Sequence, residues 1–186
     1  MNLELKTAEN APGSAGKMLA DVQTKMGGFL PNLYAQMANA PAVLEAYLTM
    51  TEILGKTSFS PAEQKLILLT ASARNGCKYC VAAHSSGGRM AKLDKQAIEA
   101  VRDGNAIEAP RLQALRLFTE HQMETRGKVD GDEMKNFLAA GFTPVQASEV
   151  LVGISMKALS NSFSRMAQTP LDGMLAKMQW PGNDRV

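Results

Sequence analysis

An all-α fold is what this sequence predicts, on three observations. Two segments carry a complete helix-start signature, Ser60-Pro61-Ala62-Glu63 and Thr143-Pro144-Val145-Gln146. Each has a hydroxyl cap, proline at the first helical position, and Glu or Gln three residues after the cap. Apolar residues elsewhere recur at the three- and four-residue spacing of a helix face. Strand signals are scarce, with few Val/Ile/Thr alternations and no Asn-Gly or Asp-Gly hairpin turn between apolar runs.

In chain order, residues 1–14 read as an irregular arm. A first helix spans about 15–26 and stops at Gly27-Gly28. Phe29-Leu30-Pro31-Asn32 is a turn feeding a short helix to about Asn39. Pro41 opens the next, which runs to Gly55 with Val43, Leu44, Tyr47 and Leu48 on one face. The Ser60 start leads through Leu66, Ile67, Leu68 and Leu69 to a stop at Asn75-Gly76. A helix from about 77 to Met90 follows, weakened near its end by Gly87-Gly88. Leu93–Arg102 is a short helix closed by Asp103-Gly104-Asn105. Pro110 opens a longer one to about Arg126, with Leu112, Leu115 and Phe118 inward. Residues 130–140 read as helical. From Thr143 the last long helix runs to about Ala167, with Val150, Leu151, Ile154 and Ala158 as its buried stripe. Residues 169–186, with Trp180-Pro181-Gly182, read as a loosely packed tail. The prediction is one domain over 1–186, built from about eight or nine helices.

Composition narrows the function classes. The chain has 186 residues, 45% of them hydrophobic, enough for one real core and inconsistent with disorder. The net charge is +2 and the basic residues are dispersed, so no nucleic-acid footprint is present. No apolar stretch approaches the roughly 18 residues of a membrane span. The first residues lack the basic start and apolar core of a secretory signal, which leads us to expect a cytoplasmic protein. Thiols are kept reduced there, and two cysteines three residues apart would close too small a loop to act as a structural staple.

The chemistry-bearing segment is Cys77-Lys78-Tyr79-Cys80-Val81-Ala82-Ala83-His84. On a helix, positions 77, 80 and 84 share one face, within about 60° around the axis. His84 sits one turn from Cys80, where an imidazole can take or share the thiol proton. Gly76 places the cysteines in the first helical turn, whose free N–H groups and positive dipole end favour a thiolate. These residue types at this spacing point to a thiol–disulfide redox pair. The thioredoxin type would need a βαβ context, and covalent haem attachment would need His directly after the second Cys, where Val81 stands.

Other readings of the same residues remain open. The cysteines can be small buried apolar residues. Cys77, Cys80 and His84 can be three zinc ligands with His121 as a fourth, giving a zinc-stabilised helical module that binds partners. Glu63 is a candidate proton-relay carboxylate, although completing the Ser60 capping box explains a Glu at that position. Tyr79 reads as a packed aromatic, and the twelve Met residues as core filler.

Ser60-Pro61-Ala62-Glu63 and Asn75-Gly76-Cys77-Lys78-Tyr79-Cys80-Val81-Ala82-Ala83-His84-Ser85 resemble the alkylhydroperoxidase D-like branch of the carboxymuconolactone decarboxylase superfamily. Weaker echoes are Leu30-Pro31-Asn32, Phe142-Thr143-Pro144 and Asn161-Ser162-Phe163-Ser164-Arg165. The resemblance implies an all-helical AhpD-like subunit that assembles into trimers or hexamers. It implies a thiol-dependent peroxidase or disulfide reductase that needs no metal or organic cofactor. In that pattern Cys80 attacks the peroxide, Cys77 resolves the sulfenic acid to a disulfide, His84 assists deprotonation, and an external dithiol reduces the bond. A redox sensor, oxidised without sustained turnover, is the alternative within the same chemistry. The chain departs from the family pattern twice: Lys65 stands twelve residues before Cys77, where a relay Glu is expected, and Tyr79 stands where many relatives carry His.

Overall fold

The computed structural model describes residues 3–129 and 131–182. The described residues form nine α-helices and no strand. They are α1 (Ala15–Lys25), α2 (Asn32–Met37), α3 (Pro41–Leu54), α4 (Pro61–Arg74), α5 (Lys78–Met90), α6 (Lys95–Asp103), α7 (Pro110–Thr125), α8 (Gly131–Ala139) and α9 (Pro144–Ala167). A 3-10 helix, Gly173–Met178, follows. Both start signatures form full capping boxes: Ser60 with Glu63, and Thr143 with Gln146. Proline opens α3, α4, α7 and α9, where its missing N–H costs nothing.

Helix α4 is the hub. Every residue from Leu66 to Ala73 is buried, because α4 packs against α5, α6, α7 and α9. One side meets a cluster holding Ile98, Val101, Leu115, Phe118, Phe137 and Phe142. Phe137 stacks between Phe118 and Phe142, with ring centroids 4.1 and 4.5 Å away. The other side meets a cluster of Leu33, Leu44, Tyr47, Met156 and Phe163, which also takes in both cysteines. Helix α9 crosses α4 at Gly153, where an added Cβ would lie 2.6 Å from Ile67 Cγ2. Only glycine lets the two backbones come that close.

The structure corrects two expectations. The buried face of α9 keeps only half of the predicted apolar stripe: Val150 is buried and Ile154 packs against the core, but Leu151 is 44% exposed and Ala158 is also exposed. Beside Val150, the residues that point inward are Gly153, Met156, Lys157, Ser160, Asn161, Phe163 and Ser164. Docking against α4 and the start of α5 decides this phase, and a polar inward face gives no hydrophobic periodicity to read. The predicted loose tail is packed as far as residue 182, and residues 183–186 lie outside the described residues. Trp180 is buried and its indole N–H donates to the Arg102 carbonyl at 2.9 Å. Arg102 in turn donates to Ser85 Oγ and to the carbonyls of Met178 and Gln179.

Candidate active site

The corner between α4 and α5 places the first cysteine. Asn75 ends α4, Gly76 turns at φ +64°, and the N–H groups of Gly76 and Cys77 donate back to the Ala73 and Ser72 carbonyls, at 3.1 and 3.0 Å. This is the Schellman stop, and glycine suits its left-handed position. Cys77 emerges extended (φ −83°, ψ 94°) and serves as the cap of α5, its Sγ accepting the Cys80 N–H at 3.4 Å. Cys77 therefore lies just ahead of the helix rather than inside it, and Cys80 is the third helical residue.

Helix α9 braces this corner. The Asn75 side-chain amide donates to Asn161 Oδ1 at 2.9 Å, and Asn161 Nδ2 reaches Ser72 Oγ at 3.5 Å. Arg165 donates to the Asn75 carbonyl at 3.0 Å. Ser164 and Asn161 also favour the ionised forms of Cys77 and Cys80 respectively. The Asn161–Arg165 stretch thus holds the cysteine corner directly.

The two thiols are buried, free and unlike. The S–H of Cys80, then its backbone N–H, the Ser164 hydroxyl and the Lys157 charge pull the Cys77 thiol down to about 6, against the opposing effect of burial. Burial and the neighbouring Cys77 push the Cys80 thiol well up, so at neutral pH the pair holds one proton, on Cys80. Burial first, and then the charges of Lys157 and Lys65, hold His84 well below the usual imidazole range, so it is neutral.

A cavity of about 640 Å³ opens beside the pair. Cys80 and His84 line it, and Cys77 does not. Lys65 and Lys157 line it as well. Lys157 is fully buried, and its ammonium has no hydrogen-bond partner among the described residues. Burial and Lys157 lower the Lys65 pKa. Tyr79 is fixed on the same wall, donating to Asp172 Oδ2 at 2.7 Å and accepting the Leu33 N–H at 3.3 Å. Burial raises the phenols of Tyr34, Tyr47 and Tyr79, which stay protonated.

Of the four residues picked out from the sequence, Cys77, Cys80 and His84 come together and Glu63 does not. Glu63 lies eleven residues before Arg74 on α4, about 16 Å of helical rise away. There it accepts from the Ser60 N–H and hydroxyl and from Arg111 Nε, each at 2.9 Å. Those bonds account for a carboxylate at that position. The zinc reading also fails to assemble. His121 bonds the Lys128 carbonyl at 3.1 Å, and no group of three or more His, Cys, Asp or Glu among the described residues is placed to hold a metal. Sequence reasoning missed Lys157 and Asp172, although Lys157 inside an apolar helical pattern was a visible signal.

The family model of the carboxymuconolactone decarboxylase family matches residues 41–120, the stretch from α3 through α7 that carries the cysteine corner. That stretch is similar to the carboxymuconolactone decarboxylase family, and the fold is AhpD-like. The chain is similar in fold to an alkylhydroperoxidase AhpD core, an uncharacterized peroxidase-related protein of Ralstonia eutropha JMP134. Identity is 21%, TM-score 0.81, and coverage 94% of this chain and 93% of that one. A peroxidase-related protein of Silicibacter sp. TM1040 aligns at 21% identity with TM-score 0.77, over 93% and 92% of the two chains. A cysteine-to-alanine variant of the debrominase Bmp8 in complex with 2,3,4-tribromopyrrole aligns at 15% identity with TM-score 0.73, over 96% of each chain. Among curated proteins no sequence relative matches. No single helix among the described residues is long and apolar enough to cross a membrane.

Proposed function

We propose that this AhpD-like protein is a thiol-dependent oxidoreductase that reduces peroxides or disulfides through Cys77 and Cys80. The observation that carries this reading is a buried dithiol at a helix N-terminus, the Cys77 Sγ accepting the Cys80 N–H at 3.4 Å, with Cys80 and His84 on the wall of a cavity. A lowered Cys77 thiol three residues from Cys80 favours closure of a disulfide between them.

With a hydroperoxide, Cys80 Sγ attacks one peroxide oxygen as its proton passes to the neutral imidazole of His84. The O–O bond breaks, and the departing alkoxide takes that proton from the imidazolium and leaves as an alcohol. Burial and the two lysines disfavour a charged His84, so it gives up the proton readily. Cys80 is now a sulfenic acid. The Cys77 thiolate attacks its sulfur, hydroxide departs and is protonated by solvent to water, and the Cys77–Cys80 disulfide forms. An external dithiol restores both thiols by exchange and is itself oxidised to a disulfide. Assembly into trimers or hexamers belongs to the same proposal, and sedimentation measures it.

The test is consumption of hydrogen peroxide and cumene hydroperoxide with dithiothreitol by wild type, Cys80→Ser and Cys77→Ser. Sustained turnover is expected in the wild type alone. Equal rates in all three overturn the proposal. Stoichiometric oxidation without turnover assigns the pair to redox sensing.

A further inference from the structure

Two ammonium groups share the cavity wall with Cys80 and His84, and the thiol chemistry above uses neither as a reactant. Lys157 is 0% exposed, and its ammonium is buried without a hydrogen-bond partner among the described residues. A buried cation left unpaired is costly, and a protein keeps one where an anion comes to meet it. Lys65 is half-buried, and its stem passes 3.5 Å from where a Cβ on Gly87 would stand. The charges acting on His84 are these two lysines, and the charge acting on Lys65 is Lys157. The cavity's own carboxylate, Asp172, is engaged on both oxygens, by Tyr79 and by the Asn32 N–H.

The rest of the cavity is apolar. Phe29, Leu33 and Leu175 line it, with Met26, Met90 and Met174 at exposures of 45%, 84% and 65%. Three exposed methionines around one opening make a soft, adaptable apolar surface.

We propose that the cavity takes an organic acid with an apolar body, its carboxylate held by Lys157 and Lys65 and its apolar part lying toward Met26, Met90 and Met174. This rests on the thiol reading above and names its substrate class: a hydroperoxide or disulfide that carries a carboxylate. A carboxylate offers acceptor oxygens to both ammoniums, and in a poorly hydrated site such charge-assisted contacts are strong.

Binding is read apart from turnover. Isothermal titration of the reduced protein with decanoate and with 1-decanol compares one apolar body with and without the charge. Decanoate is expected to bind about tenfold or more tighter, and Lys65→Met or Lys157→Met to bring the two ligands to parity. Methionine matches lysine in length and suits a buried position, and Lys65→Met carries the test if Lys157→Met does not fold. Decanoate binding no tighter than decanol, or unchanged in Lys65→Met, overturns the inference. Decanoate binding as expected in a protein that consumes no peroxide leaves the acid site standing and removes only the thiol reading. With turnover present, Lys65→Met is expected to raise KM for linoleic acid hydroperoxide about tenfold more than it raises KM for cumene hydroperoxide, which carries no carboxylate and so reads separately whatever the lost charge does to His84.

Discussion

The Sγ of Cys77 accepts the backbone N–H of Cys80 at 3.4 Å, so one cysteine caps the helix that carries the other. The same contact that starts α5 stabilises negative charge on Cys77, while Cys80 keeps its proton and lines the cavity. Ionisation and access to the cavity are thereby divided between two sulfurs.

Alkylation against pH reads this division. In the reduced wild type, one thiolate is expected to appear with a midpoint near 6. Cys77→Ser should remove that step. Cys80→Ala should move it upward, since the Cys80 S–H is the largest cause of the lowering and alanine has no donor to replace it. A single midpoint near the free-thiol value of about 8.5 in the wild type contradicts the arrangement.

The order of attack is open to chemical trapping. Cys80 faces the cavity, so peroxide with a sulfenic-acid probe should label Cys80 in the Cys77→Ser variant. Peptide mapping decides; labelling of Cys77 in Cys80→Ser, with none of Cys80 in Cys77→Ser, reverses the roles.

Stability of the reduced protein should rise with pH on account of Cys77. Its folded pKa of about 6 lies below the ordinary thiol value of 9.0, so between these values the unfolded chain binds more protons. The contribution is complete above about 9 and is lost as pH falls to about 6. Denaturant titrations across this window should show a positive slope that Cys77→Ser lessens. An identical slope in both proteins refutes this.

Glu63→Gln separates capping from catalysis. Losing the charge that meets Arg111 and part of the Ser60 cap should cost about 1 kcal/mol of stability. Peroxide kcat/KM should stay within about twofold of wild type. A hundredfold fall in kcat would return Glu63 to the proton relay.

The α4–α9 crossing predicts a steric effect. Gly153→Ala places a methyl 2.6 Å from Ile67 Cγ2, and overpacking of this kind costs about 1–3 kcal/mol. Thermal melting measures it. Because α9 braces the cysteine corner through Asn161 and Ser164, the same variant should also raise the Cys77 midpoint.

The sequence by itself determined where the helices begin and end and that Cys77, Cys80 and His84 are neighbours. Capping boxes, N1 prolines and the Asn75-Gly76 stop act within four or five residues, so their signals are contained in the local string. Tertiary structure alone decided what surrounds those residues. Glu63 was drawn to Arg111, forty-eight positions away, and Asp172 to Tyr79, ninety-three away. The inward face of α9 was set by the small residue that fits against Ile67 and by polar partners at the α4–α5 corner, not by an apolar stripe alone. Trp180 is buried because the Arg102 carbonyl and side chain hold the last turn of the chain against α5 and α6. Lys157 became part of the site because that same rotation of α9 turned it inward. A buried polar group finds its partner by long-range packing, and no local periodicity encodes that choice.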